Sequence, residues 1–362
     1  MYTQQQLVAE RGLGDSTLDV ALVIPLHGSA GIFGPSCELC AQLAAEDLNT
    51  GAGVLAREVR LAVVDGSGPP ERVADEVGAM VAAGLVDAVV GWHISAVRQV
   101  LAPRIAGRVP YVYTALYEGG EHTPGVFLVG ETPSTQLLPA MRWLHAEHGV
   151  RRWCIVGDDY VWPRLTARAA HAYAQACEGR IIDEIFVPLG TKDFGPALQR
   201  VERCRPDAVL MLLVGEDAVH FNRAFARAGL DRSCRRLSTL MEENMLLATG
   251  AENTRGICAT AAYFEALTTP EGLDFGLRYA RRFGPDSPTL NSLGESCYEG
   301  LFMLAGLLRR AGSLDVDALC GVADAVSYSG PRGELRVRDR HVQQRVYLAE
   351  ANGLDFDVLA QL

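Results

Sequence analysis

"VDAVVGWHISAVRQVLAPRIAGRVPYVYT", residues 86–114, carries the reading of the fold. "VDAVVG" (86–91) is a short apolar run rich in β-branched residues and closed by glycine. "AVRQVLAPRIAGR" (96–108) has helical spacing, and "VPYVYT" (109–114) is apolar and β-forming again. Two such strands joined by a helix predict a parallel pair with a helical crossover. The same rhythm runs upstream through "LDVALVIPL" (18–26), "PSCELCAQLAAEDLN" (35–49), "EVRLAVVD" (58–65) and "PERVADEVGAMVAAG" (70–84). It runs downstream through "GVFLVG" (125–130), "STQLLPAMRWLHAEHG" (134–149), "RRWCIVG" (151–157), "RIIDEIFVPL" (180–189) and "DAVLMLLVG" (207–215). Strands alternating with helices over this length predict an α/β protein of two doubly wound lobes. After Asn291 come two helical stretches, and the tail from Gly333 alternates with period two, as antiparallel strands do.

The 362 residues carry 33 basic and 44 acidic side chains, a formal charge of -11. An acidic chain without a basic tract argues against direct nucleic-acid binding and against an anionic membrane surface. No apolar run approaches the roughly 18 residues that span a bilayer. The first twenty residues have no basic n-region, apolar h-region or small-residue cleavage site, so no secretory signal is expected. Nine scattered cysteines, an odd number, do not form a disulfide framework and suit a reducing compartment. The expected location is therefore the cytoplasm, or the periplasm had a signal sequence been removed.

Motifs for chemistry are few. "HGSAGIFGPS" (27–36) gives G-x-x-G-x-x-G, which is not the dinucleotide fingerprint, and Lys192, the only lysine, lies outside any phosphate-binding loop. Cys37 and Cys40 form a C-x-x-C without the second pair that a structural zinc site needs, so packed thiols are expected. His145 and His148 share a helix face with no accompanying carboxylate pattern. G-x-S-x-G and H-E-x-x-H are both absent. Neither an enzyme nor a cofactor is expected.

Ligands of open α/β sheets sit beyond the carboxyl ends of the strands. Those ends read "HGSAG" (27–31), "GWHIS" (91–95), "YTALYEG" (113–119), "GDDYVWPR" (157–164), "VGED" (214–217) and "TLMEEN" (239–244). Hydroxyls, aromatic rings and helix starts collected there make up a small-molecule pocket. The candidate ligand-binding residues are His93, Ser95, Tyr113, Thr114, Ala115, Tyr160, Trp162, Gly215, Met241 and Glu242. Ser95 is equally placed to be a helix cap.

With these residues in view, the chain resembles the type I periplasmic-binding-protein family. The likeness is strongest to its cytoplasmic amide-sensing branch, which negatively regulates aliphatic amidase expression. It is carried by "AEDLNTGAGVLAREV" (45–59), "VVGWHIS" (89–95) with Arg98, "YEGGEHTPGVF" (117–127), "GDDYVWPR", "DEIFVPL" (183–189) and "GPRGELRV" (330–337). The resemblance implies two lobes joined by three crossovers, with lobe 1 over 1–131 and 258–328, lobe 2 over 132–257 and 329–362, and a ligand in the cleft between them. It implies that Ser95 holds a ligand amide and that Tyr113 and Tyr160 are pocket tyrosines. His93 and Trp162 stand where the amide sensor has tyrosine, and Ala115 and Met241 where it has threonine, so a bulkier or more apolar amide than acetamide, or an aromatic one, is expected. The implied partner is an RNA-binding antiterminator protein, with a homodimer allowed. The alternative is the substrate-binding component of an ABC transporter for branched-chain amino acids, urea or amides, partnered by its permease, with Glu242 or Glu243 meeting a ligand ammonium.

Overall fold

A computed structural model describes residues 16–362; the first fifteen, which carry most of the signal-peptide reading, lie outside them. The first lobe begins with β1 (Thr17–Ile24), α1 (Gly34–Asn49), β2 (Glu58–Asp65), α2 (Pro70–Ala82), β3 (Ala88–Gly91), α3 (Ser95–Ile105), β4 (Tyr111–Tyr113) and β5 (Val126–Leu128). The second lobe follows with α4 (Pro133–His148), β6 (Arg152–Asp158), α5 (Val161–Ala176), β7 (Arg180–Val187), α6 (Gly195–Cys204), β8 (Ala208–Leu212), α7 (Glu216–Arg227), β9 (Arg235–Ser238), α8 (Glu243–Thr249) and β10 (Ile257–Ala261). The chain then returns to the first lobe for α9 (Pro270–Phe283), α10 (Ser292–Ala311), α11 (Val316–Val322), β11 (Ser327–Gly330), β12 (Gly333–Arg338) and β13 (His341–Gln343). It ends in the second lobe with β14 (Tyr347–Asn352) and β15 (Asp355–Gln361).

Apolar patterning decides the layers. β1, β3 and β8 are buried along nearly their whole length, as strands covered on both faces must be. The eight-stranded sheet runs β11-β12-β13-β5-β4-β3-β1-β2 and the seven-stranded sheet β15-β14-β10-β9-β8-β6-β7. In each, the first five strands met along the chain pair in parallel in the order 2-1-3-4-5. That order places a topological switch point at β1/β3 in one lobe and β6/β8 in the other, where ligands of such sheets collect. α1 packs on α10, α2 on α3, and α4 on α5. The expected α/β architecture of two lobes holds.

Two of the lobe boundaries move. The sequence reading closes the second lobe at 257 and sends 329–362 back to it. In the structure β10 pairs with β9 and β14 inside the seven-stranded sheet, and β11 to β13 complete the eight-stranded one, with His341 beside Leu128. The crossovers thus fall after β5, after β10 and between β13 and β14. Period-two alternation marks a strand but not the sheet it joins. α9 also emerges where the reading saw only the punctuation "TTPEG"; Thr269 caps it by accepting the Gly272 N–H at 3.2 Å, with Pro270 at its first position.

The crossovers are tied to one another. Glu131 accepts the Ala262 N–H at 2.6 Å, Gln344 donates to Val129 O at 2.7 Å, and a His341 ring nitrogen lies 2.6 Å from Gly130 O. Gly130 is required here: a Cβ would lie 1.9 Å from Ala115 O. Beside these links, the buried Arg332 guanidinium meets Glu295 at 2.5 Å and donates to Gln344 Oε1 at 2.5 Å. Among the described residues no helix is long and apolar enough to cross a membrane.

Candidate functional site between the lobes

A cavity with about 280 Å³ of atom-free space, open solvent at its mouth included, lies where the strand ends of the two sheets face each other. The loop from β3 into α3 supplies Trp92, His93, Ile94 and Ser95, and the end of β4 supplies Tyr113, Ala115 and Leu116. The second lobe contributes Tyr160 and Trp162 from the start of α5, Val214 beyond β8 and Leu240 beyond β9. Leu293, in the first turn of α10, closes the wall. Local sequence explains the geometry. Gly91, at φ 145°, has its Cα against Val23, where a Cβ would lie 2.2 Å from the Val23 carbonyl oxygen, and this lets β3 turn sharply into the loop. Tyr160 is the N-cap of α5 and Trp162 lies in its first turn, which brings their ring centroids to 6.2 Å.

Six expected residues line the cavity: His93, Ser95, Tyr113, Ala115, Tyr160 and Trp162. Four others do not. Thr114 points to the opposite face of β4, with Oγ1 3.7 Å from Cys297 Sγ under α10, because successive strand residues alternate sides. Met241 turns into the second lobe, its sulfur 3.7 Å from Asn222 Nδ2. Glu242 reaches across the cleft to accept the Leu293 N–H at 3.1 Å. Gly215 sits on the cleft rim, where an added Cβ would lie 1.9 Å from Ser29 O. The candidates leave out Trp92, Ile94, Leu116, Val214 and Leu240, although the quoted strand ends hold all five. Leu293 carried no signal, since it belongs to a helix far along the chain.

The polar groups of the first-lobe wall are already engaged. Ser95 Oγ donates to Glu118 Oε2 at 2.6 Å. Arg98, beneath it, pairs with Glu118 at 2.7 Å and Glu121 at 3.0 Å, and lies over the rings of Tyr113 and Tyr117. Tyr113 OH donates to His93 O at 2.7 Å, and Tyr111 OH lies 2.8 Å from His93 Nε2. Burial, with Arg98 adding to it, depresses His93 to about 3, so its ring is neutral. Trp92 is 2% exposed, lies 5.3 Å from the Phe33 ring, and leaves its indole N–H without a partner. Ile94 gives α3 no side-chain cap.

On the second-lobe side, Asp158 accepts the Val214 N–H at 2.8 Å, and burial together with the facing Asp217 carboxylate pushes its pKa well up. Asp217 accepts from Ser29 Oγ of the first lobe at 2.5 Å and from Gly190 N at 2.7 Å. Asn244 donates to Ile32 O at 2.9 Å. Burial raises Glu242 to about 8, opposed by its bond from Leu293. The lobes thus grip each other at the rim, through Ser29–Asp217 and Asn244–Ile32, and at the back, through Glu242–Leu293. Glu243 accepts the Glu265 N–H at 2.8 Å and does not line the cavity. Cys37 and Cys40 are buried free thiols whose pKa burial raises, in keeping with packing. Among the described residues no group of His, Cys, Asp and Glu could hold a metal ion.

A family profile described as periplasmic binding protein matches residues 17–355. The chain belongs to that family. This periplasmic binding protein is 27% identical over 218 residues to the Leu/Ile/Val-binding protein homolog 6 of Brucella melitensis, a match covering 58% of this chain and 55% of the relative. The corresponding protein of Brucella abortus matches at the same identity and coverage. The match therefore spans about half the length of these relatives. Among solved structures, a solute binding protein of an ABC transporter from Rhodopseudomonas palustris, in complex with 3,4-dihydroxybenzoic acid, superposes with a TM-score of 0.84 at 21% identity, covering 96% of this chain and 98% of that one. A leucine binding protein from Thermotoga maritima superposes at 0.83 and 20% identity, covering 96% and 99%. At these identities the likeness is one of fold.

Proposed function

We propose that this protein is the substrate-binding component of an ABC transporter, a two-lobed clamp that captures a small organic molecule in the cleft and passes it on unchanged. The observation that carries the reading is the cavity itself. It is walled by aromatic and aliphatic side chains from both lobes and sealed by contacts made only when the lobes meet. Such a site binds by enclosure. The named functions of the relatives, leucine-type and benzoate-type solute binding, support a small-molecule ligand and an importer partner. On this reading the protein works on the outer side of the cytoplasmic membrane, against the cytoplasmic expectation. Ser95, Tyr113, Tyr160 and Trp162 are proposed as ligand contacts.

The second reading, a cytoplasmic amide sensor acting through an antiterminator, retains one supporting observation: all nine cysteines are free thiols, seven of them buried and two, Cys204 and Cys320, half-buried. Deleting the gene in its source organism separates the two. A transport component predicts a large fall in uptake of the labelled ligand with catabolic transcripts still inducible. A sensor predicts unchanged uptake and deregulated transcripts, which would overturn the first reading.

A further inference from the structure

Two carboxyl groups meet beneath one of the rim contacts that join the lobes. Asp158 ends β6 and Asp217 lies in the first turn of α7; their side chains face each other, with 0% and 1% of the two residues exposed. Three of the four carboxyl oxygens have a donor. Asp158 Oδ2 accepts the Val214 N–H, Asp217 Oδ2 accepts the Gly190 N–H, and Asp217 Oδ1 accepts the Ser29 hydroxyl from the first lobe. Asp158 Oδ1 is buried and has no donor. Among the described residues no Arg, Lys or His pairs with either acid. The titratable group beside them is Tyr160, the N-cap of α5, which is within electrostatic reach of this pair and of Tyr113 and Glu118 in the first lobe.

Two facing carboxylates without a cation cannot both stay ionised away from water, so the pair keeps one proton. The orphaned Asp158 Oδ1 is its place. Protonated, that oxygen becomes a donor to Asp217, and no oxygen of the pair is left without a partner. Burial and the facing Asp217 hold Asp158 well above the ordinary aspartate range, in agreement. Ser29 belongs to the other lobe. When the lobes part, Asp217 loses its hydroxyl donor, water reaches the pair, and both groups return toward ordinary acidity. We propose that closing the cleft takes up one proton, held between Asp158 and Asp217 beneath Ser29, so that the clamp grips more firmly at low pH and loosens as pH rises. Opened, the pair is fully ionised above the ordinary aspartate range; closed, it still holds one proton there. The contribution to closure is therefore complete below that range. It is lost as pH rises toward the closed-state value, by up to about tenfold in the closed-to-open ratio per pH unit. The latch acts alike in a transport component and in a sensor, because it concerns closure alone.

Acrylamide quenching of tryptophan fluorescence, in the full chain without added solute, reads closure between pH 6 and pH 9. Of the four tryptophans, Trp92 and Trp162 line the cleft, whereas Trp153 is buried in the second lobe and Trp143 lies on α4. Opening thus changes the first two. Asp158→Asn gives Asp217 a permanent N–H donor in the same place and has no proton to lose. Glu242, which burial raises to about 8 among Glu131, Glu243 and Arg332, adds a dependence of the same sign to both proteins, so their difference is the reading. The unaltered protein is expected to lose up to about tenfold more of its closed-to-open ratio per pH unit than Asp158→Asn. Parallel curves for the two, or quenching of the unaltered protein that does not change with pH, would overturn the proposal. Should Asp158→Asn fail to fold, Ser29→Ala decides. Without the first-lobe donor it is expected to be quenched at pH 6 as strongly as the unaltered protein at pH 9, and a curve matching the unaltered protein's would overturn the proposal.

Discussion

Trp162 enters the cavity wall from the second lobe with almost no exposed surface, and Tyr160 lies beside it. A ring of that size contributes through buried area and through its contact with a second ring. Trp162→Ala is expected to weaken ligand binding by about 1–3 kcal/mol, measured by calorimetry with the small solute that most raises the protein's melting temperature. Unchanged affinity would remove Trp162 from the site. The residue scale also shows what sequence could and could not reveal. Ser95, Tyr113, Tyr160 and Trp162 stood out because each follows directly on a buried apolar run, and that is where such sheets expose their ends. Thr114 was misjudged because one step along a strand reverses the side chain. Glu242 and Met241 were misjudged because the loop of four residues between β9 and α8 has no periodicity to say which way each points.

At the scale of elements, the cleft depends on how closely loops can approach. Gly215 begins α7 at φ 52°, ψ -117°, a conformation that costs a residue with a side chain roughly 1–3 kcal/mol, and Ser29 O occupies the space a Cβ would need. Gly215→Ala should therefore act mainly on lobe closure, because the collision is between lobes. Ligand affinity is expected to fall roughly tenfold or more, while circular dichroism shows both lobes still folded. Full affinity in this variant would show that Ser29 and Gly215 need not meet. The elements themselves were readable from strand–helix alternation up to β10. Beyond α11 the chain uses hairpins, and their alternation is the same whichever sheet receives them. Only the pairing of His341 with Leu128 and of β14 with β10 assigns β13 and β14 to different lobes.

For the whole molecule, the arrangement is two sheets of the same winding order, three crossovers stitched together by Glu131, His341 and Gln344, and a cavity that exists only where the lobes meet. The stitched crossovers form a common pivot, and the contacts at the rim, Ser29–Asp217 and Asn244–Ile32, are the ones an opening motion would break. The central claim is that binding and closure are one event. Small-angle X-ray scattering of the full chain, without ligand and saturated with the small solute that most raises its melting temperature, measures this directly. The account predicts a smaller radius of gyration and a shorter maximum dimension with ligand bound. Saturable binding with superimposable scattering curves would contradict it.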